Sequence, residues 1–217
     1  ALAEGVSLDF EAKDILQFDL EAEDSGGLSV RNSFTVLVED AFEGRIVDAP
    51  ISGALVCVDL NGNQLCDADE PPVESDAQGR YSLPKVDGGE RLSAAGGQDV
   101  VTGEAFDEFT LSVRLTGEAP AAISITPIST ILANSEDPSA VLVSLGFPEA
   151  LSPDAFLTLD PWKLSGNDDG ADDSSGAGLG LSEAELSAVA TQALVISAQF
   201  ASAVKVLSAT LPDTVGL

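Results

Sequence analysis

The sequence predicts an α+β fold, with β-sandwich-like strands followed by a helical subdomain, and three observations carry that prediction. Apolar and polar residues alternate through "SLDFEAKDILQFDLEAED" and "LSVRNSFTVLVED" and through shorter runs up to residue 126. From residue 127 the period changes, and prolines follow residues that cap helices. A long alanine-rich stretch near the end then spaces its apolar residues for one helical face. Strands first and helices later is α+β order.

The elements follow in turn. "DSGG" separates the first two strand runs as a turn. A β-sandwich needs about seven strands, and only about three are legible here. The chain is therefore expected to begin inside a domain whose first half is missing. Residues 1–42 read as that partial domain. Residues 43–217 read as an α+β domain, β-rich over 43–126 and mainly helical over 127–217. Strands in "GRIVDAPISGALVCVDL" and "GRYSLPKV" flank a cysteine-containing loop, with "DAQG" as a hairpin turn. "EFTLSVRLTG" and "AAISITP" supply further strands.

Among the helices, "TPISTILAN" puts Pro127 at a first helical position. "SEDPSAVLVSLG" offers Asp137 as N-cap, Pro138 at the first turn and Gly146 as the stop. Ser182 and Glu185 form a capping box ahead of a stripe through Leu186, Val189, Ala193, Ile196, Phe200 and Val204. Gln192, Gln199 and Lys205 interrupt that run, which reads as a soluble helix too polar to insert in a membrane. "GNDDGADDSSGAGLG" between the helices reads as a solvated loop.

Composition narrows the function. Among 217 residues, 37 are acidic and 9 basic, a net charge of −28. Such a surface repels nucleic acid and anionic membranes and attracts divalent cations. With no histidine the usual general base is missing. No G-x-S-x-G, phosphate-cradling glycine loop or C-x-x-C is present either, so no enzyme is expected. Paired carboxylates carry no signal in so acidic a chain. No charged-then-apolar leader opens the sequence, which places any export signal outside it.

The stretch "ALVCVDLNGNQLCDADEPP" concentrates the chemistry. Counting from Asp59 as position one, Asn61 is three, Asn63 five, Leu65 seven, Asp67 nine and Glu70 twelve. These are the ligand positions of a twelve-residue EF-hand loop, where position seven gives a backbone carbonyl and position twelve a two-oxygen carboxylate. Calcium (Ca2+) is the expected ion. Position six is Gln64 where glycine is usual; Gly62 offers another bend. Strand-like "GALVCV" leads in and "PP" leads out, so no helix pair flanks the loop. Cys57 and Cys66 suit a disulfide that closes it in an oxidising compartment; the alternative is an acidic surface turn with two buried thiols.

The segment "GRIVDAPISGALVCVDLNGNQLCDADEPPVESDAQGRYSLP" resembles the prealbumin-like, collagen-adhesin B-type modules of large bacterial surface proteins. Some of those form a Lys–Asn isopeptide, for which Lys85 is the lysine near this unit. The opening "LDFEAKDILQFDLEAEDSGGLSVRNSFTVLVED" resembles the second half of a cadherin-like repeat, with "LDFE" at its calcium-binding Leu-Asp-x-Glu. That likeness implies Glu11 and Asp40 as ligands of an inter-domain calcium, although the downstream Asp-x-Asn-Asp linker is absent. The order of the whole chain resembles the peptide-binding domain near the tip of giant repeats-in-toxin adhesins of Gram-negative bacteria. The resemblance implies an extracellular module on the bacterial surface, joined to neighbouring adhesin domains. It further implies calcium-dependent capture of the free C-terminal ends of peptides or proteins on other cells.

With five arginines and four lysines in the chain, a ligand carboxylate would have to be met by backbone N–H groups or by bound calcium. Asn167, Asp168, Asp169, Asp172 and Asp173 offer a second calcium site near Trp162. Asn167 and Trp162 are candidate ligand contacts, and the other reading of Trp162 is a core anchor. The alternatives to peptide binding are a calcium-rigidified spacer of an adhesin stalk or a carbohydrate-binding module.

Overall fold

The computed structural model describes residues 10, 13–86, 88, 90–107, 110–116, 122–167 and 179–210, the last four by backbone alone. It is α+β, and the chain divides into two compact units, Ala1–Ala41 and Phe42–Leu217.

The first unit is built on a hairpin of β1 (Ile15–Glu23) and β2 (Ser29–Leu37). Asp24 sets the turn, its Oδ1 accepting from the N–H groups of Gly26 and Leu28 at 2.8 and 3.0 Å. The register pairs Leu16 with Val36 and Phe18 with Phe34, so strict alternation gathers these apolar side chains on one face. Phe18 and Phe34 stack at 5.6 Å. On the other face Asp19 accepts from Arg31 at 2.7 Å and from the Ser33 hydroxyl.

The second unit holds β3 (Ala41–Ile46), β4 (Ile51–Ser52), β5 (Leu55–Val58), β6 (Val73–Glu74), β7 (Arg80–Pro84), β8 (Arg91–Ala95), β9 (Gln98–Asp99), β10 (Leu111–Arg114) and β11 (Ala122–Ile125). One sheet has the order β10-β8-β5-β6 and a second β11-β3-β7, with β11 parallel to β3; β4 and β9 form a separate pair. Both larger sheets feed one core through Phe42, Val56, Tyr81, Leu92, Val113 and Ile123. The centre of β8 is buried on both faces, at Leu92, Ser93 and Ala94. The serine face of neighbouring β10 meets the first helix: Ser129 Oγ donates to Ser112 O at 2.9 Å, and Ser112 N donates to Thr130 Oγ1 at 2.8 Å.

"DAQG" is a turn but not a hairpin. Asp76 Oδ1 accepts from Gln78 N and Arg80 N, yet β6 and β7 belong to different sheets. The chain changes sheets because Ser75 is buried, donating to Ile51 O and accepting from Ala54 N. Gly79, at φ +75°, passes so near β4 that a Cβ would lie 2.9 Å from Ile51 N.

Four short helices repeat one opening device, a capping side chain followed by proline. They are α1 (Pro127–Ala133) after Thr126, α2 (Pro138–Ser144) after Asp137, α3 (Pro153–Leu157) after Ser152 and α4 (Pro161–Leu164) after Asp160. Asp160 also grips buried Arg45 of β3 at 2.8 Å, which ties α4 to the second sheet. The long α5 (Glu183–Thr210) starts at the expected capping box: Ser182 N donates to Glu185 Oε2 at 2.8 Å and Glu185 N to Ser182 Oγ at 3.3 Å. The Ser182 hydroxyl, which donates to the same carboxylate oxygen at 2.7 Å, and then the Ser182 N–H hold the Glu185 carboxyl below its ordinary range. Small residues Ala190, Ala193, Ser197 and Ala201 make its buried stripe. By length and composition alone Glu183–Val206 is apolar enough to cross a membrane, contrary to the sequence expectation. Its buried stripe instead packs within this unit, against α4 and α1.

Candidate metal centre

The loop of residues 59–70 leaves β5 at a fixed point, since Asp59 N donates to Arg91 O of β8 at 2.9 Å. Cys57, fully buried in β5, is joined to Cys66 by a disulfide. The bridge shuts the loop back onto the strand it came from.

Inside this enclosure the side chains of Asp59, Asn61, Asn63 and Glu70 turn onto the loop backbone. Asp59 Oδ1 accepts from Gly62 N at 2.6 Å and its Oδ2 from Gln64 N at 3.0 Å. Asn61 Oδ1 accepts from Asn63 N at 2.9 Å, and Asn63 Oδ1 from Leu65 N at 2.8 Å. Glu70 reaches back across the loop, with Oε1 accepting from Leu60 N at 2.7 Å and Oε2 from Asp67 N at 3.2 Å. Positions one, three, five, nine and twelve are thereby drawn into one hydrogen-bonded set.

Gln64 resolves the missing glycine. It stands at φ +63°, the one left-handed residue other than glycine among the described residues. Position six thus adopts the bend that glycine normally supplies, at a steric cost of about 1–2 kcal/mol. Gly62 is also left-handed, at φ +78°. The two bends together curl the loop.

Asp59 and Glu70 are 3% and 2% exposed, and among the described residues neither has an ion pair. Two carboxylates withdrawn from water and hydrogen-bonded by backbone amides, with the Arg91 charge acting on Asp59, suit a hard cation that wants oxygen donors. Asp67 Oδ2 takes both asparagine amide groups, at 2.7 and 2.8 Å, bonds that a cation at the centre would displace. Among the described residues no three Asp, Glu, His or Cys side chains are arranged to hold a metal. A site here would draw on the two amides and the Leu65 carbonyl as well as on the three acids. That carbonyl lies 3.9 Å from Cys57 Sγ.

Beside the loop lies a mainly apolar groove open to solvent, lined by Val58, Leu60, Pro71, Leu83, Pro84 and Val86 together with Asp69 and Glu70. No sequence motif marked it, because its walls come from β5, β7 and the end of the loop. Lys85 lies with its Nζ 5.6 Å from the centre of the Phe42 ring, a cation–π contact.

Asp40 is half-buried just before β3. Glu11, Asp168, Asp169, Asp172 and Asp173 lie outside the described residues. Trp162 is half-buried in α4, and its carbonyl accepts from Ser165 Oγ at 2.8 Å and Asn167 Nδ2 at 3.4 Å. Asn167 therefore closes the end of a short helix. No family model, curated protein or solved structure matches the chain.

Proposed function

We propose that this chain is a calcium-dependent adhesin module of the bacterial cell surface that binds short peptides or proteins on other cells through their C-terminal ends. Its strands are read as β-sandwich-like, of prealbumin and cadherin-like type. The carrying observation is a disulfide-laced loop of oxygen donors in which Asp59 and Glu70 are buried and form no ion pair among the described residues, with the Arg91 guanidinium acting on Asp59 only through its field.

Asp59, Asn61, Asn63, Asp67, Glu70 and the Leu65 carbonyl would hold the ion. Bound calcium supplies the positive charge that a chain of net charge −28 otherwise lacks for a ligand carboxylate. The neighbouring groove then receives the ligand's terminal apolar side chain, since Asp69 and Glu70 belong both to its lining and to the loop.

A peptide array displaying free and amidated C-termini, probed in calcium and again in chelator, tests the reading. Binding that requires both a free terminus and calcium is expected. Equal binding to amidated peptides overturns C-terminal capture. Binding to no peptide while calcium still raises the melting temperature favours the spacer or carbohydrate reading.

A further inference from the structure

A second acidic cluster lies away from the metal loop, where α5 passes the pair of β4 and β9. Asp48 stands in the turn between β3 and β4, which Val47 and Pro50 close as an isolated bridge. A small cavity is lined by Asp48, Asp99, Glu104, Phe106, Ala201 and Lys205. Lys205 of α5 reaches across it to Glu104 at 2.6 Å. Asp99 is spent locally, its Oδ1 accepting from Val101 N and Thr102 N at 2.7 and 2.8 Å. Asp48 Oδ1 is buried and has no hydrogen-bond partner.

This geometry is an unstable arrangement for a charged Asp48. The carboxylate loses water under α5, faces Asp99 from β9 and Glu104 from the following segment, and meets one cation, Lys205. Lys205 is already engaged by Glu104 in an exposed ion pair of little strength.

We propose that residues 201–206 of α5 form a proton-dependent strap, seated over the cavity when Asp48 is protonated and loosened when Asp48 ionises. Burial, followed by the charge of Asp99, pushes Asp48 up to about 6, against the smaller opposing pull of Lys205. When the strap lifts, Asp48 regains water and its affinity for the proton falls. Seating therefore takes up a proton. It is favoured at acid pH, and that contribution is lost as pH rises through about 6.

Hydrogen–deuterium exchange of the whole chain at pH 5 and pH 8, corrected for intrinsic rates, tests the strap. The opening constants of residues 201–206 are expected to be up to about tenfold smaller at pH 5. In Asp48→Asn the pH difference should vanish, with protection at both values. Exchange that is equal at the two pH values in the native chain overturns the proposal, as does a difference that survives in Asp48→Asn. If that variant does not fold, carbon-13 NMR of the native Asp48 carboxyl decides the matter. A midpoint near 6 supports the strap, and one in the ordinary carboxylate range overturns it.

Discussion

The loop of residues 59–70 and the cluster around Asp48 both take a carboxylate oxygen out of water, but they do so in opposite ways. In the loop, Asp59 and Glu70 are met by five backbone N–H groups, two and three respectively, within one curled segment. In the cluster the acids come from separate segments, and Asp48 keeps an oxygen without a donor. A local curl can aim many amides at one acid because consecutive N–H groups converge. Segments that meet only through tertiary packing bring side chains together and leave their backbone committed elsewhere. The first arrangement suits a cation, and the second suits a proton.

A third buried acid calibrates both. Asp160 is satisfied by the Arg45 guanidinium at 2.8 Å and by Trp162 N and Lys163 N. Asp160→Ala leaves Arg45 charged and buried, and should cost about 3–5 kcal/mol in urea unfolding. A loss below about 1 kcal/mol would mean that water reaches Arg45 and that the contrast among these acids is overdrawn.

Next in size is the lacing of the loop. Replacing Cys57 and Cys66 together by serine should lower stability by about 2–3 kcal/mol through the freed unfolded chain. The same pair should weaken calcium binding, because the donors lose their enclosure. Unchanged calcium affinity would show that the curl is held by its hydrogen bonds alone.

Smaller effects sharpen the contrast. Gln64→Gly removes a left-handed side chain and should stabilise by about 0.5–1 kcal/mol, after the entropy of the unfolded glycine is subtracted. Asp48→Asn should stabilise at pH 8 by less than about 1 kcal/mol, since the site is partly open to solvent, and have little effect near pH 4. The sign follows from the carboxyl being pushed up to about 6: its charged form is the costly one in the fold. Chemical denaturation at both pH values measures it.

The legible parts of the sequence were those governed by neighbours in the chain. Asp137, Pro138 and the box of Ser182 and Glu185 act within one helical turn, and each does so in the fold. Ser152 before Pro153 and Asp160 before Pro161 carry the same signal, but their helices of five and four residues are too short to show a period. β8 was illegible because "RLSAA" neither alternates nor looks apolar; its Ser93 is buried by packing against neighbouring strands. "DAQG" gave its turn locally, while the change of sheet depends on Ser75 bonding to Ile51, twenty-four residues away. In the loop of residues 59–70 the spacing of the oxygen-bearing side chains could be read directly. The bend at Gln64 could not, since its left-handed backbone is imposed by Asp59 gripping Gln64 N. The groove beside the loop and the seat of Asp48 are products of the tertiary fold.

Thermal unfolding in calcium and in chelator, for the native chain and for Glu70→Gln, tests the central claim most directly. Calcium at a hundredfold over its dissociation constant should add about 2.7 kcal/mol to the native chain. Chelation should therefore lower its melting temperature clearly, and Glu70→Gln should lose most of that shift. Superimposable melts of the native chain in calcium and chelator would contradict the calcium loop and the calcium-dependent capture built on it.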